Sequence, residues 1–148
     1  MPKNKKELPR NVLVMRFSAL GDVAMTIPVV YSVCRSNPAT RFIFLTKKSQ
    51  ASLFINPPAN LVVLGIDFKA EYPHAYALWR LFAKLKKEYD IDAVADLHGV
   101  LRSYMISMSG LLRGVTVHTI RKGRMHKRAL TRPRNKVMLP LISSRARY

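Results

Sequence analysis

Three polar side chains in this sequence, Asp22, Ser18 and His98, are of types that can move protons or order a ligand, and five basic ones, Arg102, Arg121, Lys122, Arg124 and Lys127, can hold an anion. Asp22 sits in NVLVMRFSALGDVAMTIP (residues 11–28), where an apolar run meets a short polar turn and then a helical pattern. Two roles stay open for it. As an N-cap it would satisfy the first amides of the helix. As a general base it would be kept ionised by the helix dipole and aimed at a hydroxyl. Ser18 and Gly21 would shape the turn, glycine by accepting backbone angles that a Cβ forbids. Asp96, at the end of a second apolar run, reads as a structural hydrogen-bond acceptor. His98 either orients a phosphate or closes a turn, and no acid or cysteine in the sequence stands out as its partner.

Other chemistries are excluded by what is missing. A dinucleotide cradle needs three glycines where this turn has Gly21 alone, and an acid after the second strand where Thr46-Lys47 stands. There is no P-loop motif. His74, His118 and His126 have no ligand spacing, and Cys34 is the single cysteine, so no metal site, no disulfide and no cofactor are expected.

These residues need a scaffold. Val12–Met15, Arg41–Thr46, Leu61–Leu64, Asp92–Leu97 and Val115–Ile120 read as buried strands of a parallel sheet. Helices are expected from Asp22, with Val23, Thr26, Ile27, Val30 and Val33 inward and Pro28 within the first two turns, and over Lys47–Ile55. Two more are expected over His74–Tyr89 and Val100–Leu112. Tyr72, Tyr76, Trp79 and Tyr89 read as packing residues, or as sugar or base platforms if exposed, and Met105 and Met108 as core fillers. Alternating strands and helices imply right-handed crossovers and an α/β, Rossmann-like doubly wound sheet, with ligands outside the strands' C-terminal ends. The turns at 18–22 and 98–99 are therefore the expected site.

Composition sets the partners. The 148 residues carry a formal charge of +18, and no acid follows Asp96, so IRKGRMHKRALTRPR (120–134) forms a basic lip. Such a surface suits a multiply phosphorylated ligand or nucleic acid. No motif with interleaved aromatics supports RNA binding, and no run approaches the roughly 20 apolar residues of a membrane span. Residues 1–10 read as a solvated basic leader, 11–120 as the folded domain, and 121–148 as the basic segment and the start of an interdomain connection.

With these pieces in place, the sequence resembles the ADP-heptose:lipopolysaccharide heptosyltransferases, glycosyltransferase family nine. VLVMRFSALGDVAMTIPV is similar to that family's opening strand, turn and helix, YDIDAVADLHGVLRS to its fourth strand and turn, and RKGRMHKRALTR to its basic segment. The resemblance implies the N-terminal, acceptor-side half of a GT-B enzyme that transfers heptose with inversion from ADP-heptose. The implied acceptor is a phosphorylated, lipid-linked saccharide at the cytoplasmic face of the inner membrane, contacted peripherally. It implies Asp22 as the base, Ser18 and Gly21 as the turn that places it, and His98, Arg102, Arg121, Lys122, Arg124 and Lys127 at the acceptor. The nucleotide-sugar donor would bind a second domain. Because the sequence stops at Tyr148, where the family's connection begins, the expectation is a chain without that domain and inactive by itself. The rival expectations are a basic Rossmann-like nucleic-acid-binding module and a remnant with no activity.

Overall fold

The computed structural model describes residues 8–120. Along them run β1 (Asn11–Met15), α1 (Leu20–Ser36), β2 (Arg41–Lys47), α2 (Lys48–Ala51), β3 (Leu61–Ile66), α3 (Ala75–Tyr89), β4 (Ala93–Asp96), α4 (Leu101–Leu111) and β5 (Thr116–Thr119). Every strand pairing is parallel, in the order β3-β2-β1-β4-β5.

The central β1 strand must be apolar on both sides, and its residues divide between two cores. Leu13 and Met15 join Ile43, Leu45 and Val94 beneath Leu78, Leu81, Phe82 and Leu85 of α3 and Ile106 of α4. Val14 joins Phe42, Phe44 and Leu61 on the opposite face, covered by Val23, Val30 and Cys34 of α1 and by Phe54. Helices on both faces make the sheet doubly wound, as the alternation of elements implies. Strand order reverses between β1 and β4, so their C-terminal ends border the crevice where ligands of such sheets bind.

Several local expectations need correction. On α1 the inward position is Cys34, not Val33, which is 42% exposed. Eleven residues on from Val23 is about three turns and returns to the same face, whereas ten is not. Burial there pushes the Cys34 thiol up to about 11. Because α1 begins at Leu20, Pro28 lies in its third turn, not within the first two, and the helix still runs on to Ser36. The helix expected over Lys47–Ile55 is the single turn α2. It stops early because the chain bends to drop Phe54 against Phe44, ring centroids 4.7 Å apart. Met108 and Tyr76 are not core residues, being 49% and 64% exposed, and Tyr76 stacks on His74. Tyr72, Tyr89 and Met105 do pack against the first core.

Glycine permits one close approach that matters for the helical layer. A Cβ on Gly110 would stand 3.1 Å from Cζ of Phe82, so α4 lies directly on the α3 core side chain. Beyond that contact, α4 turns Leu101, Tyr104, Met108 and Leu111 outward, as does Leu112 just past its end.

Candidate active site at the β1 and β4 carboxyl ends

Each half of the site starts where a strand runs out of hydrogen-bonding partners. Beyond Met15 the chain continues as Arg16-Phe17-Ser18-Ala19, with the Ser18–Ala19 peptide cis, and enters α1 at Leu20. Beyond Asp96 it turns through Leu97-His98-Gly99-Val100 into α4. The Leu97 amide donates to the Met15 carbonyl at 3.0 Å, which holds the two turns side by side.

Asp96 builds the second turn. Fully buried, it accepts from the amides of His98 (2.9 Å) and Gly99 (2.8 Å) on Oδ1 and from the Ser103 hydroxyl (2.8 Å) on Oδ2. The same hydroxyl accepts from the Val100 amide at 2.9 Å. A buried carboxylate with both oxygens occupied is structural, as expected from sequence. Gly99 has φ +58°, in the left-handed region that a side chain disfavours, so this turn needs its glycine.

The turn presents His98 to the other half of the site. Its Nδ1 accepts from the Phe17 amide at 3.4 Å, which leaves the proton of the neutral ring on Nε2. Nε2 faces Ser18 Oγ at 3.3 Å, so the ring can donate to that oxygen and leave the serine proton for a ligand. The edge-on contact with Phe17, centroids 5.4 Å apart, fixes the ring's tilt. His98 therefore does more than close a turn: it joins both turns.

Asp22 is not the N-cap. Ala19 holds that position with no side-chain bond, neither Ser18 nor Asp22 caps, and Asp22 lies in the first helical turn. What holds it is Arg16, the residue sequence reasoning missed by treating it only as the end of a strand. The Arg16 side chain, 9% exposed, donates from Nη2 to Asp22 Oδ2 at 2.5 Å and from Nη1 to the Leu97 carbonyl at 2.6 Å. A cation immediately after a buried apolar run and six residues before an acid was the signal available. Among the described residues Oδ1 of Asp22 accepts no hydrogen bond, and the side chain is 37% exposed. One oxygen is clamped and the other is open, an arrangement that can receive a proton from an incoming hydroxyl.

Gly21 departs from the expected reason for its presence. It is helical, and a Cβ built on it would meet nothing within 4 Å. The fold does not require a glycine there. Arg102, at the second position of α4, points elsewhere in the crevice, its Cζ 5.5 Å from the centre of the Phe68 ring. The structure thus joins Ser18 to His98 directly and ties Asp22 to the same turn through Arg16, with Gly21 next to Asp22 in α1 and Arg102 further along. Arg121, Lys122, Arg124 and Lys127 lie outside the described residues. Among those described, no group of His, Cys, Asp or Glu could hold a metal ion, and no helix is long and apolar enough to cross a membrane.

Sheet order, two-faced covering and a crevice at the strand reversal define a Rossmann-like domain of the kind from which GT-B glycosyltransferases are built. The crystal structure of a family 9 glycosyl transferase from Veillonella parvula has this fold, with a TM-score of 0.64 and 20% identity over 82% of this chain and 39% of that one. In sequence the chain is related to lipopolysaccharide heptosyltransferases. It is 26% identical over 102 residues to lipopolysaccharide core heptosyltransferase OpsX of Haemophilus influenzae and 29% identical over 97 residues to lipopolysaccharide heptosyltransferase 1 of Pseudomonas aeruginosa. These matches take in 69% and 62% of this chain but 28% and 27% of those proteins' lengths. No family model matches the chain.

Proposed function

We propose that this domain is the acceptor-side half of an inverting glycosyltransferase of lipopolysaccharide core synthesis, with ADP-heptose as donor. The observation that carries the reading is the clamp on Asp22: Arg16 holds Oδ2 while Oδ1 accepts no hydrogen bond among the described residues, at the carboxyl ends of β1 and β4. In the proposed reaction Oδ1 takes the proton of the acceptor hydroxyl as that oxygen attacks the anomeric carbon and the bond to the ADP oxygen breaks. Ser18 and His98 order the saccharide, Gly21 gives it room, and Arg102 with the basic 121–127 stretch meets its negative charge. The nucleotide-sugar would be bound by a second domain facing residues 11–120. The basic surface also fits peripheral attachment to an anionic membrane carrying the lipid-linked acceptor.

The test joins this chain to a donor-side domain and measures transfer from ADP-heptose. Asp22→Asn is expected to lower kcat at least about a thousandfold, near the upper range for losing a general base, with acceptor KM changed less than about threefold. Unchanged turnover would overturn the assignment of Asp22 as base.

A further inference from the structure

A second cationic feature, separate in sequence from the basic 120–134 stretch, lies along the same crevice. At the carboxyl ends of β2 and β3, Lys47, Lys48, Lys69 and Arg102 line a pocket of about 220 Å³. We propose that this pocket binds a phosphate group, carried by the same saccharide whose hydroxyl faces Asp22. The identity of the carrier rests on the function proposed above; the pocket's affinity for phosphate does not.

The pocket has a buried wall, and Lys48, Lys69 and Arg102 stand exposed around it. Its wall is Phe68, 3% exposed, whose ring packs on Phe17 with centroids 4.6 Å apart. Phe17 is the neighbour of Ser18, so one aromatic pair separates the two parts of the crevice. Arg102 Cζ lies 5.5 Å from the centre of the Phe68 ring, beside the pocket it lines. On the opposite wall, Lys47 ends β2 in register with Ile66. Lys48 is drawn down onto the sheet because Gly65 has no side chain: a Cβ there would stand 3.0 Å from both Lys48 Cα and Ala51 Cβ.

Charge then selects the ligand. The lining holds four cations and one carboxylate, Asp67, whose Oδ1 is already engaged by the amides of Lys69 (3.0 Å) and Ala70 (3.2 Å). That turn sets the position of Lys69. Among the described residues the ion pair is Arg16–Asp22, and none of the four cations has a carboxylate partner. Like charges that line one pocket oppose one another, and a dianion with several acceptor oxygens relieves that repulsion. Arginine matches such an anion through its fork and lysines as point charges. The size admits a phosphate with its water and excludes a nucleic-acid helix.

Amide NMR of the full chain titrated with inorganic phosphate tests the site. Saturable shifts are expected at Lys47, Lys48, Lys69 and Arg102, with affinity lowered about tenfold or more in Lys47→Ala/Lys48→Ala, as for loss of charge-assisted bonds. Lys69→Gln, in a loop whose backbone bonds survive the change, should weaken binding in the same sense. Arg80→Ala/Lys84→Ala removes equal charge on α3 and should leave affinity within about twofold. Equal loss in both double variants, or unsaturable shifts spread over the surface, overturns the pocket. A second arm compares a phosphorylated glycolipid with its dephosphorylated form. Pocket shifts with the first alone support the saccharide as carrier; shifts with both overturn the assignment to phosphate, and shifts with neither overturn the saccharide as its source. Neither arm measures transfer, so failure of Asp22 as base would leave these results readable.

Discussion

At the scale of single residues, the site depends on Arg16. Its guanidinium ties the Asp22 carboxylate to the Leu97 carbonyl, and so the first turn to the second. Arg16→Met should preserve most of the stem's packing while losing both bonds, and is expected to cost about 1–3 kcal/mol in urea unfolding. In the joined enzyme it should lower kcat more than it raises acceptor KM, because Asp22 loses its aim but the saccharide keeps its contacts. Arg16→Lys, which can reach one partner but not both, should recover only part of the loss. A kcat equal to wild type in Arg16→Met would mean that the clamp only stabilises the fold. Gly21 offers the converse case. With open space for a Cβ and helical backbone, Gly21→Ala is expected to raise stability by up to about 1 kcal/mol, and a raised acceptor KM in the same variant would place the saccharide against that face. A variant both more stable and unchanged in KM would remove the ligand from that face.

At the scale of elements, the helical layer over α3 and α4 is held at a distance that a glycine sets. Phe82 is fully buried and Gly110 packs on its ring, where even a methyl would come within 3.1 Å. Gly110→Val asks α4 to move or Phe82 to leave its rotamer, and its branched side chain gains little helix propensity. The expected cost is about 1–3 kcal/mol by urea unfolding, as for other overpacked cores. No loss of stability would show that α4 can shift freely. Because α4 starts from the turn that carries His98, a shift of that kind would also move the ring away from Ser18. Most of these elements were legible. The apolar runs and their spacing put five strands and the helices close to their observed places, since burial on two faces leaves a continuous apolar signature. α2 was not legible, because what ends it is Phe54 meeting Phe44, a contact between residues ten apart that periodicity does not register.

For the whole molecule the governing quantity is charge. At +18 the chain will attract any polyanion at low salt, so binding alone does not separate a saccharide site from a nucleic-acid surface. Salt does. Binding of the full chain to RNA is expected to fall at least about a hundredfold between 50 and 200 mM salt, as counterion release dictates for many phosphate contacts. Binding of a phosphorylated glycolipid through one or two bound phosphates should fall less than about tenfold over the same range. RNA binding that stays tight at 200 mM and outcompetes the glycolipid would favour the nucleic-acid reading.

The sequence alone determined the α/β class, the alternation that makes the sheet parallel, and the two turns where chemistry could sit, because local pattern and burial suffice for all three. It singled out Asp22, Ser18 and His98 but could not say that Ser18 meets His98 or that Arg16 ties Asp22 to the His98 turn. Those contacts depend on β1 lying beside β4, residues about eighty positions apart in the chain, which the crossover through α3 brings about. The contacts of Arg16 and the close approach of Lys48 to Gly65 came from tertiary structure for the same reason. Each is defined by what stands across the fold, which neighbours in sequence do not encode.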